Sequence, residues 1–239
     1  KGLNNNRNKV VLITGASNGI GFELTRLFAR NGFSLIMVAR DEKRLNEAAA
    51  KIKEAYNAPV KAITFDLALP GAPLQLYQDL KRDNIAIEFL INNASFGGSG
   101  KFAESDWDYE SMMIQANIVA LSQLTKLFIK DMIDRNSGRV MNVSSIAAFQ
   151  PGPMMAVYCA TKSYVLSFSD AIANELKGTR ITVTTLCPGP TQTGFQATAG
   201  IDRVRLFSRG LVMSAEKVAK IGYNGMMAGK TVIIPGFLN

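Results

Sequence analysis

The feature that most limits the possible folds is an alternation, end to end, of short continuous apolar runs with longer amphipathic ones. Val10 to Thr14, Ser34 to Ala39, Val60 to Phe65, Ile87 to Ile91, Arg139 to Val143, Ile181 to Leu186 and Thr231 to Ile234 read as strands. Helices are expected from the first glycines to Arg30, over Asp41 to Tyr56, Leu74 to Lys81, roughly Asp106 to Arg135, and Val157 to Lys177. The strands lack an apolar–polar alternation, so both of their faces are buried. Such strands, interleaved with helices, make a parallel sheet covered on both sides. The expected fold is α/β, a doubly wound parallel sheet of about seven strands. No linker or repeat interrupts the pattern, and residues 1–239 read as a single domain.

The chain has no histidine. That excludes Ser-His-Asp and Cys-His catalysis and every His-ligated metal site. Two isolated cysteines, Cys159 and Cys187, make neither a zinc site nor a disulfide framework, so no metal is expected and a reducing cytoplasm is the expected setting. The Asn-rich start, Lys1 to Lys9, does not read as a signal peptide, and no apolar run approaches the roughly 18 residues of a membrane span. Net charge is +8, but Lys and Arg are scattered rather than gathered into a stripe, so nucleic acid is not the expected partner. Proton chemistry is left to Tyr, Lys, Asp, Glu or Cys.

In a doubly wound sheet, ligands bind beyond the carboxyl ends of the strands. Strand one runs into Thr14-Gly15-Ala16-Ser17-Asn18-Gly19-Ile20-Gly21. Glycines there let backbone amides approach a pyrophosphate at a helix N-terminus. Strand two ends in Ala39-Arg40-Asp41. An acidic group there would bond a ribose 2′-hydroxyl, whereas Arg40 suits a 2′-phosphate. Asp41 is read as a helix-start residue, and NADP(H) as the cofactor.

Tyr158 and Lys162 stand four apart on an expected helix, hence on one face. A free tyrosine titrates near pH 10, and an adjacent ammonium, together with the positive charge of the oxidised nicotinamide, is expected to lower that value. The same spacing recurs in Tyr77 and Lys81, so context must decide. Ser145 ends the fifth strand 13 residues before Tyr158, whereas Thr64, inside a strand, holds that place before Tyr77. Cys159-Ala160-Thr161 are small and are expected to permit close packing against the cofactor.

Together these segments resemble the short-chain dehydrogenase family over nearly the whole chain, in particular a bacterial subgroup of broad or unassigned specificity. The glycine turn resembles its T-G-x-x-x-G-x-G motif; Asn92-Asn93-Ala94-Ser95 resembles N-N-A-G, with Ser95 in place of glycine. Pro188-Gly189-Pro190-Thr191-Gln192-Thr193 resembles P-G-x-x-x-T. The resemblance implies a Rossmann-type fold and an NADPH-dependent reductase acting on a ketone, aldehyde or 3-oxoacyl group. It implies that Gly15, Ser17, Asn18, Gly19, Ile20, Gly21, Arg40, Asp66, Asn93, Pro188, Gly189, Thr191 and Thr193 bind the cofactor with Tyr158 and Lys162. It also implies Ser145 as carbonyl hydrogen-bond donor, Tyr158 as general acid, Lys162 on the nicotinamide ribose, and Asn117 on a water leading to Lys162. Homodimers or homotetramers through the two long helices are a further implication. Competing readings are an NADP-linked alcohol dehydrogenase working oxidatively, a non-catalytic NADPH sensor, and a basic scaffold for nucleic acid or membrane.

The substrate loop is expected at 194–213. Its Phe195, Leu206, Phe207, Leu211 and Met213, with Phe96, Phe149, Met154 and Met155, are read as an apolar pocket, and Arg203, Arg205 and Arg209 as sites for an anionic handle. The substrate is thus expected to be a small hydrophobic carbonyl compound. Cys159 reads as a small buried hydrophobe, and Gly229-Lys230-Thr231 is rejected as a phosphate loop because it precedes a strand.

Overall fold

A computed structural model describes residues 6–193 and 212–236. Seven parallel strands form the sheet: β1 (Val10–Thr14), β2 (Ser34–Ala39), β3 (Val60–Thr64), β4 (Ile87–Asn92), β5 (Gly138–Val143), β6 (Ile181–Leu186) and, last in the chain, β9 (Val232–Ile233). Their order is β3-β2-β1-β4-β5-β6-β9. The order reverses between β1 and β4, so the crevice at their carboxyl ends is where a doubly wound fold places its ligand.

Helices α1 (Gly19–Arg30), α2 (Glu42–Tyr56) and α6 (Ala215–Met227) cover one face. Phe28 packs there against Phe33, Phe89 and Tyr223 with centroids 5.0–5.3 Å apart. Helices α3 (Ala72–Arg82), α4 (Trp107–Arg135) and α5 (Ala156–Glu175) cover the other, where Leu80, Leu124, Phe128 and Met132 are buried. Burial of both faces explains the continuous apolar runs. The edge strand β3 is less buried than the central strands, with Lys61 and Thr64 exposed.

Several boundaries moved for identifiable reasons. Asp41 is the N-cap of α2, its carboxylate accepting from the Arg44 amide at 3.0 Å. Helix α3 starts early because Gly71 adopts φ +80° and Pro73 occupies the first turn. Helix α6 was not anticipated; it contains Gly222 and Gly225, residues that weaken a helix. The structure explains both glycines: a Cβ at 222 would sit 2.9 Å from Leu186 Cδ2, and one at 225 would overlap Ile233. They are contact points against β6 and β9. A two-residue ladder, β7 (Thr191–Gln192) with β8 (Met213–Ser214), was also missed.

By length and composition, α4 is apolar enough to cross a membrane, contrary to the sequence expectation. Its Leu124, Phe128 and Met132 lie in the core, and it buries Asn117 and Thr125 as well. One face of the helix therefore packs into the core, while Met112, Val119 and Ile133 on it are exposed. Residues Gln115–Ala120 form a π-helical turn within it, with Asn117 inside.

Candidate active site

Two cavities meet at Tyr158. The larger, about 520 Å³, runs over the carboxyl ends of the strands from Arg40 to Tyr158. The smaller, about 450 Å³, shares Met155 and Tyr158 with it.

The first end is built by hydrogen bonds between β1 and β4. Thr14 Oγ1 donates to the Ile91 carbonyl (3.3 Å) and accepts from the amides of Asn93 and Ala94 (both 3.0 Å). The Asn93 amide donates to the carbonyls of Thr14 (3.0 Å) and Gly15 (3.1 Å). Gly15 is left-handed at φ +65°, and a Cβ on Gly21 would overlap the Gly15 carbonyl oxygen. The turn therefore closes only with glycine at both places, and it delivers the start of α1 to the cavity.

Asn18 caps α1 without a side-chain hydrogen bond, and no acidic residue lies in its first turn. The first amides of a helix have no partner within it, so this N-terminus suits a phosphate group. Gly15, Ser17, Asn18, Gly19 and Ile20 line the cavity, while Gly21 lies behind the wall and shapes it.

At the end of β2, Arg40 lies exposed with its guanidinium 5.7 Å from the Phe96 ring centroid. Arg44, one helical turn further on, lines the same region. Sequence reasoning missed it, because α2 is rich in charged residues and nothing local sets this one apart. Asp41 is engaged by Arg44 twice, as cap and through Nε at 3.2 Å, so its carboxylate is already occupied. Asp66 also lines the cavity, accepting from the Ala68 amide at 2.9 Å. This glycine cradle and open helix start fit a dinucleotide, with Arg40 and Arg44 at the end of the cavity beyond β2.

At the other end, Ser145 follows β5 and caps a short 3₁₀ turn (Ile146–Phe149), accepting from the Ala147 amide at 3.1 Å. Its hydroxyl donates to the Pro188 carbonyl at 3.4 Å and also lies within hydrogen-bonding reach of the Tyr158 phenol. Lys162 lies one turn along α5, buried, its Nζ 5.7 Å from the Tyr158 ring centroid. That ammonium donates to the Val143 carbonyl (3.0 Å) and to Ser95 Oγ (3.1 Å).

Burial pushes the phenol up to about 12 and the ammonium down to about 8. The expected lowering of Tyr158 by Lys162 is therefore reversed. Desolvation outweighs it, and only the Ser145 hydrogen bond pulls the other way.

Pro188, Gly189, Thr191 and Thr193 wall the cavity beyond β6, with the Thr193 side chain against Gly19. Asn117 lines neither cavity. Its side chain accepts from the Phe96 amide (3.1 Å) and donates to the Phe96 carbonyl (2.9 Å) and Thr161 Oγ1 (3.1 Å). Its two amide hydrogens are thus already used. Of the three small residues after Tyr158, only Cys159 lines the cavity; Ala160 is exposed and Thr161 is buried against Asn117.

The apolar pocket needs correction as well. Met213 packs against the core on the α1 side, because the β7–β8 ladder draws it inward, and Phe149 is 53% exposed and lines neither cavity. Phe96 and Met155 line the larger cavity, and Met154 and Met155 the smaller, beside Phe102, Met113 and Val157. Phe195, Leu206, Phe207, Leu211 and the three arginines of 203–209 lie outside the described residues.

Tyr77 and Lys81 form no such site. The Tyr77 phenol donates to the Asp131 carboxylate at 3.0 Å, Lys81 pairs with the same group at 3.2 Å, and the ring meets Phe128 edge-on. They tie α3 to α4. Tyr77→Phe is expected to cost about 1 kcal/mol of stability, the value of one partly exposed hydrogen bond, without altering turnover. Chemical denaturation alongside an activity assay checks both.

A family model of short chain dehydrogenases matches residues 9–204. The chain belongs to the short-chain dehydrogenase family. Among its relatives is ketoacyl reductase HetN of Nostoc sp., 31% identical over 83% of this chain and 69% of that protein. A very-long-chain 3-oxoacyl-CoA reductase of Danio rerio is 28% identical over 82% of this chain and 62% of that one. Among solved structures, a short-chain dehydrogenase from Sphingobium yanoikuyae in complex with NADPH superposes with a TM-score of 0.89 at 32% identity, covering 97% of this chain and 89% of that one. A bulky-bulky ketone specific alcohol dehydrogenase from Comamonas testosteroni gives 0.85 at 28% identity, covering 97% and 87%. This short-chain dehydrogenase is thus an oxidoreductase by family, built on the family's sheet.

Proposed function

We propose that the protein reduces the carbonyl group of an apolar substrate with NADPH. The observation that carries this reading is Tyr158 itself, where the phosphate-suited cavity and a smaller, methionine-rich one meet. Burial pushes its phenol up to about 12, so the chain by itself holds the group in its protonated form, the form a proton donor must have. Bound NADPH supplies hydride to a carbonyl carbon.

The chain's own residues do the rest. Ser145 and Tyr158 stand side by side; a carbonyl oxygen entering between them takes the hydrogen of each hydroxyl from its present acceptor, and the two donors stabilise the charge that develops there. Tyr158 then gives its proton to that oxygen. Lys162 supplies a positive charge beside the phenol as it becomes phenolate. Arg40 and Arg44 hold the 2′-phosphate, and the start of α1 the pyrophosphate. Pro188, Gly189, Thr191 and Thr193 orient the nicotinamide. Phe102, Met113, Met154 and Met155 give the larger substituent of the substrate its apolar contacts, while Lys101, Glu104, Asp106 and Glu110 make part of the same wall charged.

The similarity to a reductase of ketoacyl groups and to a bulky-ketone dehydrogenase supports an apolar ketone or 3-oxoacyl substrate. The test is oxidation of NADPH and of NADH over a panel of hydrophobic ketones, aldehydes and 3-oxoacyl thioesters. Turnover with NADPH on bulky ketones is the expected result. Cofactor binding without turnover on any member would sink the reading.

A further inference from the structure

The ammonium of Lys162 is wholly buried, and no carboxylate pairs with it among the described residues. Two neutral oxygens receive its hydrogens instead. One is the carbonyl of Val143, at the end of β5, a backbone atom that no side-chain change removes. The other is the hydroxyl of Ser95, on the loop after β4. At this place the N-N-A-G pattern has glycine, which offers no such oxygen.

The loop that carries Ser95 is not free to move. Asn117 clamps both polar groups of the next residue, Phe96, accepting from its amide at 3.1 Å and donating to its carbonyl at 2.9 Å. The remaining hydrogen of the Asn117 amide goes to Thr161, the residue before Lys162. Helix α4, the β4 loop and α5 are thereby joined in a closed circuit of contacts around the ammonium.

We propose that Ser95 is a positioning residue for Lys162: its hydroxyl, fixed by the Asn117 clamp on Phe96, receives one hydrogen of the ammonium and holds it, charged, beside Tyr158. The inference rests on Lys162 having the catalytic role given above. A hydrogen bond to the charged form favours that form, and here it opposes the cost of burial. The titratable groups facing Lys162 are Tyr158 from α5 and the Cys187 thiol from the end of β6; Arg40 and Asp66 stand along the same cavity towards its other end. None of them replaces the lost acceptor when Ser95 is removed.

The test is an NMR titration of Lys162 in the full chain labelled with ¹³C,¹⁵N-lysine, the resonance being assigned with Lys162→Arg. In Ser95→Ala the lysine midpoint is expected to fall by about one pH unit, the effect of losing one hydrogen bond to a charged group. Near pH 8, kcat for ketone reduction should then fall about fivefold, following the charged fraction of the lysine, with KM within about twofold. Ser95→Thr, which restores a hydroxyl, should recover both. An unchanged midpoint in Ser95→Ala overturns the proposal, as does a Thr variant that behaves like Ala. Failure of the unmodified chain to reduce any carbonyl would count against the reductase reading alone, since the titration needs no turnover.

Discussion

Tyr158→Phe is expected to lower NADPH-dependent carbonyl reduction by about a thousandfold, within the range of a lost general acid, while cofactor still binds. The ring is 8% exposed and packs with Phe96, Met113 and Cys159, so phenylalanine fills the same space. Only the hydroxyl goes, and with it the proton donor and the partner of Ser145. Water is a poor substitute in so enclosed a place. No histidine exists anywhere in the chain to take over, and Lys162, facing Ser95 and Val143, is not aimed at the same oxygen. NADPH fluorescence measures binding, and single-turnover absorbance at saturating cofactor measures the chemical step. A loss of less than about tenfold would mean that another group delivers the proton.

The cofactor end carries the second large effect. Replacing Arg40 and Arg44 together by alanine is expected to reduce kcat/KM with NADPH about a hundredfold and to leave that with NADH within about threefold. Both guanidinium groups line the cavity beyond β2, where a 2′-phosphate would be the feature that separates the two cofactors. Asp41 does not compete for a ribose hydroxyl while it caps α2 and pairs with Arg44. The double variant also releases Asp41 from its Arg44 side-chain partner, which should improve NADH use if it changes it at all. The single Arg40→Ala variant separates the contributions. Equal losses with both cofactors would show that the arginines support the fold and do not select the cofactor.

Much of this was legible in the residues, and the reasons differ from place to place. Strands β1, β2 and β6 begin and end as read: in β1 and β2 burial on both faces leaves a nearly unbroken apolar run, and in β6 the β-branched Ile-Thr-Val-Thr-Thr series marks the strand. The glycine turn and the Ser145, Tyr158 and Lys162 set were legible because each answers a local geometric demand. Helix α6 was not, since two glycines that permit close approach to Leu186 and Ile233 look, in one dimension, like interruptions. Arg44 was hidden by its place in a helix rich in charge, where nothing local separates a ligand from a solvated side chain. The balance of burial against charge at Tyr158 was misjudged for a different reason: desolvation depends on everything packed around a group, not on its nearest neighbour in the chain. Phe149 and Met213 failed as pocket residues because apolar character does not say which way a side chain turns.

The π-helical turn at Gln115–Ala120 has a bearing on how the two halves of α4 relate. An α-helix turns by about 100° per residue, and a π-turn accommodates one residue more than the regular spiral. The portion before it, carrying Met113 into the smaller cavity, is therefore rotated out of phase with the portion after it, whose Leu124, Phe128 and Met132 grip the sheet. One helix thus keeps two azimuths and serves two buried clusters, turning Met113 towards Phe96 and Tyr158 and turning Leu124, Phe128 and Met132 towards the sheet.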